Sequence, residues 1–144
     1  MIGYVFCLVG LVIILVGMLV LNQHLTNKFR GIFLDDERTP SDVSWIRYDP
    51  DIQWTIVRNF AEFKDEIKSH GIPKYMSFDH DLADFDESGR EYTGLTCAKY
   101  LVDVVQTDDV ELPEHIYYHT KNPIGLANIK GYIENYIDYK NRII

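Results

Sequence analysis

Three short apolar runs in this chain stop abruptly on ionisable residues, and that pattern limits the possible folds more than any other feature. Gly31-Ile32-Phe33-Leu34 ends at Asp35-Asp36, Tyr75–Phe78 ends at Asp79-His80-Asp81, and His115–Tyr118 runs into His119. Apolar stretches this short, bounded by polar residues, read as buried strands. Gln53–Val57 supplies a further strand. Between the strands lie amphipathic helices. Asn59 with Glu62 three residues on makes a capping-box-like start for a helix with Phe60, Phe63 and Ile67 on one face, ended by Gly71 and Pro73. Thr93 caps a second helix with a stripe of Cys97, Ala98, Leu101, Val102 and Val105. Asn122 and Pro123 start a third, striped by Leu126, Ile129, Ile133 and Ile137. The stretch from Thr39 to Asp51, with Pro40 and Pro50, reads as a loop, as does the polar segment through Gly89. Strands joined through helices must pair in parallel by right-handed crossovers. The expectation is an α/β fold, a doubly wound parallel sheet of about four strands with helices on both faces.

Residues 2–21 carry no charge and are dense in Val, Leu and Ile. About 20 residues at about 1.5 Å each match a hydrocarbon core of about 30 Å, so this run reads as one transmembrane helix. It lacks the basic start and small-x-small end of a cleaved signal peptide. Lys28 and Arg30 flank only its C-terminal side, which predicts a single-pass membrane protein with a cytoplasmic soluble domain. Gly3, Gly10 and Gly17 recur every seven residues as a possible packing face. The organisation read from the sequence is an anchor over 1–24, a linker over 25–30 and one α/β domain over 31–144. Because the first charge is Lys28, the whole net charge of -8 falls on the part of the chain after the apolar run. An acidic surface repels a phosphate backbone, so long nucleic acid is an unfavourable partner and a small phosphorylated ligand a better one. The two cysteines, Cys7 and Cys97, lack metal-ligand spacing.

In open parallel sheets ligands bind beyond the carboxyl ends of the strands, so the three acid- and histidine-tipped runs should converge there. Crowded carboxylates repel one another unless a cation sits among them, and all-oxygen ligands suit a divalent metal such as Mg²⁺ or Mn²⁺. The expected metal ligands are Asp35, Asp36, Asp79 and Asp81. Asp79 and Asp81 alternate with His80, which faces elsewhere. His80 and His119 titrate near neutrality and are expected to act as general acid and base beside Asp79, or as metal ligands. Arg38 is expected to clamp a phosphate, or to pair with Asp36 or Glu37. The Asn122-Pro123 helix start offers backbone N–H groups to an anion, with Gly125 allowing close approach and Lys121 and Asn128 within reach. Asp84, Asp86 and Glu87 are read as solvated or capping residues, and His24, His70 and His115 as structural.

LDDERTP at 34–40, SFDHDL at 77–82, Thr93-Gly94 and HTKNPIGLANI at 119–129 resemble the cyclic-phosphate-processing receiver-like domains over nearly all of the soluble part. That resemblance implies a receiver- or flavodoxin-like fold and action on cyclic or terminal phosphates, a role proposed for the family from its association with RNA-processing systems. It also implies that Asp35, Asp36 and Asp79 form the receiver-like acidic pocket, with His80, Asp81, His119 and Asn122 as family-specific additions. Two departures stand out: Ala83 where Gly is frequent, and Thr120 where Ser is frequent. The functional expectation is a metal-dependent phosphoesterase-like domain acting on a cyclic nucleotide or a 2′,3′-cyclic end. The alternatives are a non-catalytic module that senses a phosphorylated ligand, or a receiver phosphorylated on Asp79.

Overall fold

A computed structural model describes residues 11–21 and 29–143. Residues 11–21 are helical (α1). No helix among the described residues is long and apolar enough to cross a membrane. This corrects the expectation of a single-pass membrane protein. Residues 1–10 and 22–28, where the rest of the expected anchor and most of the linker fall, lie outside the described residues.

The remaining chain is α/β. Strands β1 (Arg30–Leu34), β2 (Gln53–Val57) and β3 (Tyr75–Phe78) are followed by a short hairpin of β4 (Asp84–Phe85) and β5 (Glu91–Tyr92), then by β6 (His115–Tyr118). Helices α2 (Phe60–His70), α3 (Gly94–Asp108) and α4 (Pro123–Ile143) alternate with them. β2, β1, β3 and β6 pair in that order, all parallel, and this sheet fits a receiver- or flavodoxin-like fold. The central strands carry no side-chain charge between Gly31 and Leu34 or between Tyr75 and Phe78, as a strand covered on both faces requires.

Side-chain alternation assigns the two faces. Ile32, Leu34, Val57, Met76 and Phe78 pack with Phe63 and Ile67 of α2, Leu101 and Val105 of α3, and Ile129 and Ile133 of α4 in one cluster. Each large side chain taken out of water there contributes about 1.5–3 kcal/mol before entropy is set against it. All three helices therefore share one face, which corrects the expected two-sided winding. The other face, with Phe33, Trp54, Ser77 and Tyr117, is covered by the β1–β2 connection. Tyr48 of that connection meets Phe33, Trp54 and Tyr117 edge-on at 5.1–6.2 Å between ring centres. Val43 and Ile52 of the same segment are buried. Apart from a single 3-10 turn, Pro40–Asp42, the segment has no helix, because its prolines and scattered polar residues offer no continuous stripe. The apolar stripe of α4 also ends earlier than its periodicity suggests: Ile133 is buried but Ile137 is 41% exposed.

Candidate functional site

The carboxyl ends of β1, β3 and β6 do converge. Asp79 N–H donates to the carbonyl of Leu34, and His119 N–H to that of Phe78, so the residue after each strand is still held in the sheet's register. Asp35, Asp79 and His119 are buried side by side, each with a ligand-type atom within 4.8 Å of the others, a group able to bind a metal ion.

Asp35 is the hub. Its Oδ1 accepts from the N–H groups of Glu37 and Arg38, and its Oδ2 accepts from Arg38 Nε at 2.7 Å and His119 Nε2 at 3.0 Å. Burial alone raises the pKa of Asp35, but the His119 hydrogen bond, the two backbone donors and the Arg38 charge outweigh it. The carboxyl is held well below the ordinary range. Arg38 reaches on to Asp79, with Nη2 2.9 Å from Oδ1, so one guanidinium bridges two buried carboxylates. Arg58, at the end of β2, donates from Nη1 to the carbonyls of Asp35 (2.8 Å) and Arg38 (2.7 Å), fixing the turn that carries the bridge. Asp36 faces a different environment. Partial burial and the neighbouring carboxylates of Asp35, Glu37 and Asp79 raise its pKa, despite a backbone hydrogen bond that opposes the rise.

His119 is fully buried and stacks on Phe33, with ring centres 4.2 Å apart. An ionised Asp35 only accepts, so His119 Nε2 carries a proton. With a neutral ring, Nδ1 accepts from Ser77 Oγ (2.7 Å), whose oxygen takes the Tyr48 hydroxyl proton (2.8 Å). Burial pushes the Tyr48 phenol up to about 12, so it stays a hydroxyl donor at neutral pH. Tyr48, Ser77, His119 and Asp35 thus form a satisfied chain ending on the Arg38 bridge.

An open cleft of about 710 Å³ lies over this chain, lined by Asp35, Asp36, Glu37, Arg38, Asp79, Asp81, Ala83, Phe85, Glu91, Lys121 and Asn122. Of the residues expected at the site, Asp35, Asp36, Asp79, Asp81, Arg38 and Asn122 are therefore brought together. His80 is not among the lining residues. Its ring fills the space above Gly125, where any Cβ would collide with it, and its Nδ1 pairs with Asp81 Oδ1 at 2.9 Å. The absence of a side chain at Gly125 is used by the imidazole of His80. Asn122 caps α4 with its own side chain, Oδ1 accepting from Ile124 N–H (3.1 Å) and Gly125 N–H (2.9 Å), so those donors are taken. Its Nδ2 donates to Asp81. Asn128 lines a separate hollow with Leu95 and Lys99. Asp84 accepts from the first N–H of α2, and Asp86 staples the hairpin turn through Ser88 and Arg90. Both have the structural roles expected of them.

The carboxylates left facing the cleft suit a hard divalent cation. Asp79 Oδ2 has no hydrogen-bond partner among the described residues, and Asp36 lines the same cleft, where burial first and then the carboxylates of Asp35, Glu37 and Asp79 raise its pKa. Asp35 is less available, since both of its oxygens already accept two donors each.

The family model for the cyclic-phosphate processing receiver domain matches residues 30–135. The chain belongs to this family. No curated protein and no solved structure matches it. The match begins at the first residue of β1 and ends within α4, so it covers the whole sheet and every residue of the cleft. In this cyclic-phosphate processing receiver domain the acids at the ends of β1 and β3 line the cleft, and the histidine after β6 is sealed beneath it. The sequence reading missed Arg58, Ser77, Tyr48 and the hairpin bearing Phe85 and Glu91. Arg58 was the most findable, since it follows the carboxyl end of β2, as the recognised acids follow those of β1 and β3.

Proposed function

We propose that this domain opens a cyclic phosphodiester, with Arg38 as the phosphate-binding residue. The observation that carries the reading is the position of Arg38. Its Nε and Nη2 are committed to Asp35 and Asp79 and its guanidinium carbon lies over the Trp45 ring, 5.8 Å from the ring centre, while its remaining N–H groups have no hydrogen-bond acceptor among the described residues. A guanidinium fixed on two sides is preorganised for phosphoryl oxygens, with little further entropy to lose on binding. Lys121, from the segment after β6, adds a second cation to the same cleft. Asp36 and Asp79 would hold a divalent ion, Mg²⁺ or Mn²⁺, which when bound supplies charge stabilisation and a more acidic water. In ring opening the oxygen of a water adds to phosphorus, one ring P–O bond breaks, and the freed oxygen leaves as a hydroxyl. Asp35 and His119 act from behind, holding Arg38 in place and touching no ligand.

The test is turnover of 2′,3′- and 3′,5′-cyclic nucleotides by the full chain with Mg²⁺, Mn²⁺ or chelator, beside Arg38→Ala and Asp79→Asn. Metal-dependent ring opening lost in both variants is the expected result. A second reading, a phosphate-ligand sensor without turnover, is favoured by one observation: neither His80 nor His119 lines the cleft, so no imidazole is poised to move a proton at a bound ligand. Binding that depends on Arg38 with no product formed would select the sensor.

A further inference from the structure

Phe85 stands apart from the other large apolar residues of the cleft region. It is 60% exposed, it lines the same cleft as Arg38, and it makes no aromatic or cation contact among the described residues. Its mounting is rigid. Asp84 accepts from Phe60 N–H, Tyr92 packs on Phe60 with ring centres 4.9 Å apart, and Asp86 ties the turn together through Ser88 and Arg90. A braced hairpin that holds an aromatic ring in water over a polar cleft incurs a solvation cost that a stacked ligand would remove. The residue paired with Phe85 across the hairpin is Glu91, which also lines the cleft. Paired positions of antiparallel strands project to the same side, so a ring face and a carboxylate acceptor stand together. Trp45 is the other exposed ring nearby, but its face is already covered by Lys121, 4.5 Å from the ring centre.

We infer that Phe85 and Glu91 form a nucleobase subsite, so that the cyclic phosphate bound at Arg38 belongs to a nucleotide whose base stacks on Phe85 and offers edge N–H donors to Glu91. This inference rests on the phosphate-binding reading above and narrows its substrate to base-bearing cyclic phosphates. A cleft of about 710 Å³ suits one nucleotide unit. Guanine, with two adjacent N–H donors on its edge, matches a carboxylate best; uracil, whose single N–H is flanked by carbonyls, matches it worst.

The experiment is calorimetric titration of the full chain, in Mg²⁺, with guanosine 2′,3′-cyclic phosphate, uridine 2′,3′-cyclic phosphate and base-free ribose 2′,3′-cyclic phosphate. Phe85→Ala is expected to weaken the guanosine ligand roughly 5- to 100-fold, the range of one base stack, and to leave the base-free ligand unchanged. Phe85→Tyr, which keeps a ring face, should retain affinity, and Glu91→Gln should narrow the preference for guanosine over uridine. Equal affinity of the unaltered chain for base-bearing and base-free ligands would overturn the subsite while leaving the phosphate site standing. Binding of none of the three would overturn both.

Discussion

At the scale of single residues, Asp35 carries more of the site than any other group, because four donors end on its two oxygens. Removing one donor does not simply lose one hydrogen bond; it leaves a buried acceptor or its partner short. Ser77→Ala strips both the His119 Nδ1 and the Tyr48 hydroxyl of their partner without touching the cleft. We expect it to cost about 1–3 kcal/mol in denaturant unfolding, while ligand affinity falls less than in Arg38→Ala. Arg38→Ala should abolish phosphate binding. It should also destabilise the fold by about 1–3 kcal/mol, since two buried carboxylates lose their shared cation and solvent at the partly exposed guanidinium softens the effect. The acids and histidines of this centre were legible in the sequence, because strand ends announce themselves. The orientation of each was not. His80 and His119 carry equivalent signals in the chain, yet one fills the space over a glycine and the other is sealed beneath the cleft. Only the packing around each ring decides this.

At the scale of elements, the start of α3 sets the position of Asp79. Gly94 donates its N–H to the His80 carbonyl at 2.8 Å, and a Cβ there would run into the carbonyl oxygen of Asp79. Gly94→Ala must therefore push α3 away from β3 or shift the backbone of Asp79. Expected is a loss of about 2–4 kcal/mol in unfolding experiments together with loss of ligand binding, a coupling that a purely structural core glycine would not show. Ala83 follows the DHDL stretch, and its φ of 45° lies in the left-handed region that favours glycine. The tight turn is kept and Ala tolerates it at some cost. Ala83→Gly should change stability by less than about 0.5 kcal/mol, the relief of strain offsetting the added freedom of the unfolded chain. Ala83→Val should cost about 1–3 kcal/mol, because a branched side chain fits that region poorly. The bounds of β2, β3 and β6 and the start of α4 follow from local chemistry. The hairpin β4–β5 does not: two-residue strands in a polar segment have no periodicity to read, and they form because Asp84 and Tyr92 anchor on α2.

For the whole molecule, the linkage between protonation and folding runs through the same buried carboxylate. The folded pKa of Asp35 lies below its unfolded value of 3.8, so its ionised form stabilises the fold above that pH. That contribution is lost as pH falls from about 4 toward the lower folded value. Chemical denaturation from pH 6 down to pH 2 should show stability declining over this window. Asp35→Asn should be less stable at pH 6 and show a shallower decline. A variant with an unchanged slope would mean that the Asp35 network does not carry the acid sensitivity.

The sequence by itself determined the alternation of strands and helices, the parallel pairing that follows, and the gathering of acids at one end of the sheet. Each of these depends on periodicity, capping residues or crossover geometry, all of which act over short stretches of chain. Tertiary structure decided what short-range rules cannot: that the helices share one face, that an irregular loop covers the other, and that an arginine lies between Asp35 and Asp79. It also decided which side chains meet the cleft. Those outcomes depend on volumes and hydrogen-bond partners brought together from residues 35, 48, 77 and 119, whose contacts exist only once the chain has folded.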